Sequence, residues 1–401
     1  MPDASIVAPA CAKAPPGKTV WTTSLPPGSF YGPVAAADDG STYYLGVTPA
    51  RYPDTYTIVA IDACGGTMWQ TAARPAHFLN GAAADVVVSG DRVLFQWGTV
   101  DAFDRATGVH LWNADLDTYA FESLADDDFA ELGPLVVAAD GAAFLALNYV
   151  ERSVIATVDM AGRVSTLATV AGSTGDISGF ILDAAGHVDV LYNSINGAIV
   201  DSYAKDGTVV FVSQFTCDEE FLGPLASGTS FLVMQSGPCA MDFSGNNILS
   251  PPQSDDDAQY VTIDSNDNLY FNLQSSTAGG QPRWMTTPPN DAELLTPLLL
   301  ASGDELFAAT SGNVLEASGV IQIEAYDRSS GATLATYSTG IPYPEGDTIP
   351  TLQLLLTPAG QLVFMKDQNA VAIAAGQAPD PSDPWPTSNG GVDRRNAAPG
   401  Q

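Results

Sequence analysis

The stretch Val100–Trp112, V-D-A-F-D-R-A-T-G-V-H-L-W, constrains this chain more than any other. A β-prone run ending at Asp104 meets a tight Ala106-Thr107-Gly108 turn, and a second run places Trp112 on one face, which is the signature of a β-hairpin. Ile58–Trp69 (I-V-A-I-D-A-C-G-G-T-M-W) and Ile323–Leu334 (I-E-A-Y-D-R-S-S-G-A-T-L) repeat it. Copies this far apart imply a repeat architecture, because one hairpin cannot bury its own apolar face and must stack on neighbours.

A second unit recurs between these: an apolar strand, a turn rich in small, acidic or Gly residues, and another apolar strand. It begins at Val34, Val86, Leu135, Phe180, Gly223, Tyr260, Leu298 and Leu354. An outer hairpin follows nearly every copy, over Thr55–Trp69, Thr99–Leu116, Ser153–Leu167, Ala198–Val212, Cys239–Leu249, Gln281–Thr286 and Val320–Thr336. Four strands per repeat with period-2 alternation predict an all-β chain folded as an eight-bladed β-propeller, with seven blades as the alternative count. A β-solenoid is the rival, but its shorter rungs do not need paired hairpins. Thr19–Leu25 resembles an outer strand without its partner, so the N-terminal strand is expected to close the last blade. The expected division is a tether over 1–18, the propeller over 19–376 and a tail over 377–401.

Composition narrows the partners. Against 46 acidic residues stand 14 basic ones, a formal charge of -32, which repels phosphate backbones and argues against nucleic acid. No stretch approaches the ~20 apolar residues of a membrane span. Cys11, Cys64, Cys217 and Cys239 form no Cys-x-x-Cys or Cys/His cluster, so two disulfides, Cys217 with Cys239 and Cys11 with Cys64, compete with buried thiols. With the small-residue tether, the cysteines point to an exported chain whose leader is not in the sequence.

The anchor hairpins resemble the quinoprotein-like (PQQ-repeat-like) propeller repeat, Ala-x-Asp-x-x-Thr-Gly-x-x-x-Trp. Ala102, Asp104, Thr107, Gly108 and Trp112 match it directly; Ala60, Asp62, Gly65 and Trp69 match with Cys64 in the Thr position; Ala325, Asp327 and Gly331 match with Ala335 where Trp is expected. The resemblance implies blades packed on one another by these residues. It covers both quinone-dependent dehydrogenases, which resemble longer chains with an adjacent Cys pair, and a non-catalytic branch that includes the outer-membrane assembly lipoprotein propeller. No Cys-Cys pair occurs here, which places the chain with the second branch and disfavours a quinone.

Chemistry-bearing motifs are sparse. His77, His110 and His187 are far apart, and no H-E-x-x-H, phosphate loop or G-x-S-x-G elbow is present. Asp264–Asn268 alternates oxygens as a calcium loop does, yet Leu269 stands where the sharp-turn Gly is required, so a tight turn is expected. Asp126, Asp127, Asp128, Asp255, Asp256 and Asp257 read as solvated loops between blades and as candidate contacts for a partner. The expected function is a non-catalytic, exported bacterial scaffold, monomeric and without a cofactor, that binds a protein or surface polymer through loops on one face. The alternatives are a quinone-dependent or other propeller enzyme, and a calcium-stabilised adhesive module.

Overall fold

The computed structural model describes Cys11 and residues 14–47, 55–75, 85–96, 99–114, 116, 129–138, 140–149, 152–171, 177–194, 197–215, 225–234, 239–248, 261–271, 273–277, 279–287, 292, 294–296, 298–311, 319–342, 352–379 and 383. Among them are eight antiparallel sheets and no helix. Blade 1 runs Ser29–Ala36, Thr42–Val47, Thr55–Ile61, Thr67–Gln70, with Arg74–Pro75 pairing the third strand. Blade 2 runs Asp85–Ser89, Arg92–Gln96, Val100–Asp104, His110–Ala114, and blade 3 Phe129–Val137, Ala143–Tyr149, Arg152–Val158, Val164–Ala171. Blade 4 runs Ile177–Leu182, Val188–Ser194, Gly197–Tyr203, Val209–Gln214, and blade 5 Leu225–Ser227, Phe231–Met234, Cys239–Asp242, Asn247–Ile248. Blade 6 runs Thr262–Ile263, Asn268–Phe271, Gln274–Thr277, Pro282–Met285, and blade 7 Leu299–Ala301, Glu305–Thr310, Val320–Asp327, Thr333–Pro342.

Blade 8 closes the ring. Its strands Leu355–Thr357, Gln361–Lys366 and Asn369–Ala374 come from the end of the chain, and its outermost strand is Thr19–Ser24, antiparallel with Ser24 opposite Asn369 and Thr22 opposite Val371. Closure by the first strand removes the free edge that an open array would expose. The sequence expectation named no strand at Arg74–Pro75, Asn369–Ala374 or Gln274–Thr277; the last, in blade 6, reads Q-S-S-T, without apolar alternation, yet pairs on both sides.

Both faces of each blade are buried. In V-V-V of blade 2, Val86 and Val88 join Tyr43 and Ile58 of blade 1, while Val87 joins Leu135 and Leu145 of blade 3. Consecutive strand residues point to opposite faces, so an uninterrupted apolar run is what a sheet packed between two neighbours requires. Each such valine contributes roughly 1.5–3 kcal/mol of burial.

The repeat residues form the joint between outer hairpins. Trp69 Nε1 of blade 1 donates to Arg105 O of blade 2 (2.7 Å), Trp112 of blade 2 to Met160 O of blade 3 (3.0 Å), Trp284 of blade 6 to Arg328 O of blade 7 (3.0 Å), and Trp21 of blade 8 to Ala63 O of blade 1 (2.9 Å). Each indole lies over the turn glycine of the next blade. A Cβ at Gly108 would sit 2.6 Å from Trp69, and its φ of 68° is strained for other residues. The turn aspartate holds the loop: Asp104 Oδ1 accepts from Thr107 N (2.8 Å) and Thr107 Oγ1 (2.6 Å), and Asp62 Oδ1 from Cys64 N and Gly66 N (both 2.8 Å). In blade 7, Ala335 occupies the tryptophan register opposite Ala325, and Tyr337, two residues on, covers Gly17 instead.

Cys11 and Cys64 form a disulfide across 53 residues of chain. Cys239 is also disulfide-bonded, whereas Cys217 lies outside the described residues. Two outcomes are expected in urea unfolding followed by tryptophan fluorescence. Trp69→Ala lowers stability by about 3–5 kcal/mol, as for other buried aromatics. Cys64→Ser lowers it by about 2–4 kcal/mol through the lost cross-link.

Candidate functional site

Antiparallel pairing sends alternate connections to opposite faces of the ring. One face carries only short turns, such as 37–41, 62–66, 105–109, 159–163, 204–208 and 328–332, most of them set by an aspartate and a glycine. The strands that lead into the connections between blades and between second and third strands end on the other face; the longest of these connections, 48–54, 76–84, 115–128, 249–261, 311–319 and 343–354, lie almost wholly outside the described residues. Asp126–Asp128, Asp255–Asp257 and His77 fall outside the described residues. The Asp264 turn is a tight one: its carboxylate accepts from Asn266 N and Asn268 N (both 2.9 Å) and from Tyr270 OH (2.8 Å).

Between blades the structure buries acids that spacing alone did not single out. Asp101, Asp201 and Glu324 each stand three residues before the position whose N–H closes the outer turn, Asp104, Ala204 and Asp327, and each is nearly inaccessible. Tyrosines satisfy them: Tyr56 OH donates to Asp101 (2.7 Å), Tyr192 and Tyr203 to Asp201 (3.2 and 3.0 Å), Tyr326 to Glu324 (2.8 Å). The local signal is V-D-A-F-D, V-D-S-Y-A and I-E-A-Y-D. At the seam of blades 1 and 2, His110 Nε2 lies 2.7 Å from Asp101 Oδ1, and Arg74 reaches both. Burial pushes the acids at Asp201 and Glu324 upward, and burial beside Asp201 pushes Tyr192 up to about 12.

A second buried group faces blade 5 from blade 4. Asp189 and Ser202, opposite one another on paired strands, are fully buried, and no hydrogen-bond donor reaches either Asp189 oxygen. Burial first and the nearby charge of Asp183 second drive Asp189 well above the usual carboxylate range. Asp183 itself is raised by burial, against the opposing pull of the His187 backbone N–H (2.7 Å to Oδ1) and ring (Nδ1 3.1 Å from Oδ2). At the seam of blades 6 and 7, Arg328 makes a paired contact with Asp383 of the tail (2.7 and 2.8 Å). Among the described residues no three His, Cys, Asp or Glu converge on a metal-sized site.

The fold and its repeat joints define a β-propeller built from quinoprotein-like repeats. The model of the family described as outer membrane protein assembly factor BamB matches residues 9–213, half of the chain, and the chain belongs to that family. No curated protein matches it. Among solved structures, Sqt1 from Chaetomium thermophilum superimposes with a TM-score of 0.58 over 90% of this chain and 100% of that one, at 10% identity, a likeness of fold alone. BamB from Moraxella catarrhalis gives 0.47 over 88% and 98% at 16% identity, and a eukaryotic initiation factor gives 0.47 over 79% of each chain at 12%.

The buried carboxyls fix a sign for pH dependence. Above the ordinary carboxylate pKa of about 4 the unfolded chain releases its protons while Asp189 in the fold keeps its own, so this group's contribution to stability falls as pH rises. Asp104, Asp159, Asp206, Asp242 and Asp327, held low by hydrogen bonds in their turns, act oppositely and lose stability only below that range. Asp189→Asn cannot ionise. It is expected to raise the melting temperature at pH 7 more than at pH 4, measured by calorimetry across that range.

Proposed function

We propose that this chain is a non-catalytic binding scaffold, exported by a bacterium, that takes a protein partner on the face bearing the longer connections. One observation carries the reading: both extensions of the ring are clamped on the opposite face. Cys11 is cross-linked to Cys64 in the turn 62–66, and Asp383 is gripped by Arg328 in the turn 328–332. The clamped face is also the face of short turns whose side chains are spent on their own backbone. The strands run into their longer connections on the other face, and loops on a rigid frame are where recognition residues concentrate.

The family description, assembly of outer membrane proteins, supports a protein partner and a place outside the cytoplasm, as does a disulfide. The charge of -32 favours a partner with a basic contact surface. A surface polymer is the alternative ligand of the same face. The scaffold needs no cofactor, since its distinctive residues serve blade packing.

A photo-crosslinking amino acid at Gln368, exposed in the 367–368 turn on the face of the longer connections, is expected to trap a partner of discrete mass in the native host. The same probe at Lys205, exposed in the turn 204–208, is expected to trap none; the reverse pattern would sink the assignment. Calcium, chelator, and quinone with calcium are each expected to leave the melting temperature unchanged, whereas a rise of several degrees with the quinone mixture alone would return an enzyme to the front.

A further inference from the structure

The pair of arginines after the turn aspartate, Arg105 in D-R-A-T-G and Arg328 in D-R-S-S-G, occupies one structural position twice. Arg105 N donates to Asp91 O and Arg328 N to Asp304 O, each carbonyl belonging to the inner turn of the arginine's own blade; each arginine's carbonyl accepts the indole of the preceding blade. Arg105 then finds its acids in the inner turn of blade 1: Nη1 lies 2.8 Å from Asp38 and Nη2 3.5 Å from Asp39.

The matching turn of blade 6 lacks those acids. Ala37 N to Ser41 O and Asp264 N to Asn268 O close the two turns alike, so Asp38 aligns with Ser265 and Asp39 with Asn266. Arg328 there is nearly buried, its ring-facing side 5.8 Å from Tyr270, and Asp264 lies 3.6 Å away but is already engaged by Asn266, Asn268 and Tyr270. A buried guanidinium needs a carboxylate. It is Asp383, fully buried, that supplies one: both its oxygens meet Nη2, and Oδ1 also accepts from Ser265 N (2.8 Å).

We propose that the groove between blades 6 and 7 is a receptor site for a carboxylate of the chain's own C-terminal segment, with Asp383 standing in for the acid that blade 6 lacks. The tail is thereby a latch across one seam of the ring, held by Arg328 and the Ser265 amide and reinforced by Ser302 N donating to Ala378 O (2.8 Å). The guanidinium and the amide both point at the acid, as donors for a carboxylate do.

The test is a rescue in the full-length chain. Asp383→Ala is expected to lower the melting temperature by about 5 °C, because a buried arginine loses its partner, and to speed amide exchange across blades 6 and 7. Adding Ser265→Asp rebuilds the blade 1 arrangement and is expected to return most of that loss and slow the exchange again. An unchanged melting temperature for Asp383→Ala overturns the latch. If that variant does not fold, folding restored by the second substitution supports the proposal, and a double variant no better than the single one overturns the equivalence of Asp383 with Asp38.

Discussion

Most seams of the ring depend on one contact, an aromatic side chain of one blade lying on the turn of the next, with Leu167 taking that place between blades 3 and 4. Each indole donates to a backbone carbonyl of the following turn, and the turn glycine beneath it leaves room for the ring. The contact joins sequence to architecture, since the aspartate that shapes the turn, the glycine that lets it bend and the tryptophan that covers the neighbour all lie within one hairpin. Where the tryptophan is lost, the job passes to a nearby side chain. Phe211 covers Gly245 and Tyr337 covers Gly17.

This is why so much of the fold could be read from the chain. Strand runs and Asp-Gly turns are local, so their pattern survives even in the middle blades, and the unpaired look of Thr19–Leu25 announced that its partner lay elsewhere. What escaped was governed by distant contacts. Gln274–Thr277 has no apolar alternation although Ser275 and Ser276 are buried, and Ser275 receives the Arg283 guanidinium. Asp101, Asp201 and Glu324 look like ordinary polar strand positions until a tyrosine is brought against each. Asp383 is legible only after its arginine, 55 residues upstream, has been placed.

The interior also explains the unusual charge. A surface of so many carboxylates keeps a lysine-poor chain soluble, yet several acids sit inside with hydroxyls or a neighbouring carboxyl instead of a cation. Such groups stay neutral or accept strong hydrogen bonds, and they give the seams a polar specificity that apolar packing lacks. The seam of blades 1 and 2 differs, because Arg74 brings a cation to Asp101 beside the His110 ring.

The closing strand has a consequence for how the molecule is made. Thr19–Ser24 is synthesised first but pairs with Asn369–Ala374, which emerge last, so blade 8 stays incomplete until nearly the whole chain is present. Its early neighbours are nevertheless at hand: Trp21 bonds to Ala63, Thr23 Oγ1 to Gly65 O, and Cys11 to Cys64, all in blade 1. The first finished blade can therefore park the strand while the rest of the ring is made, keeping it from pairing with a passing chain. Ring closure then becomes a docking step between two prepared ends instead of a search across the full contour of the protein.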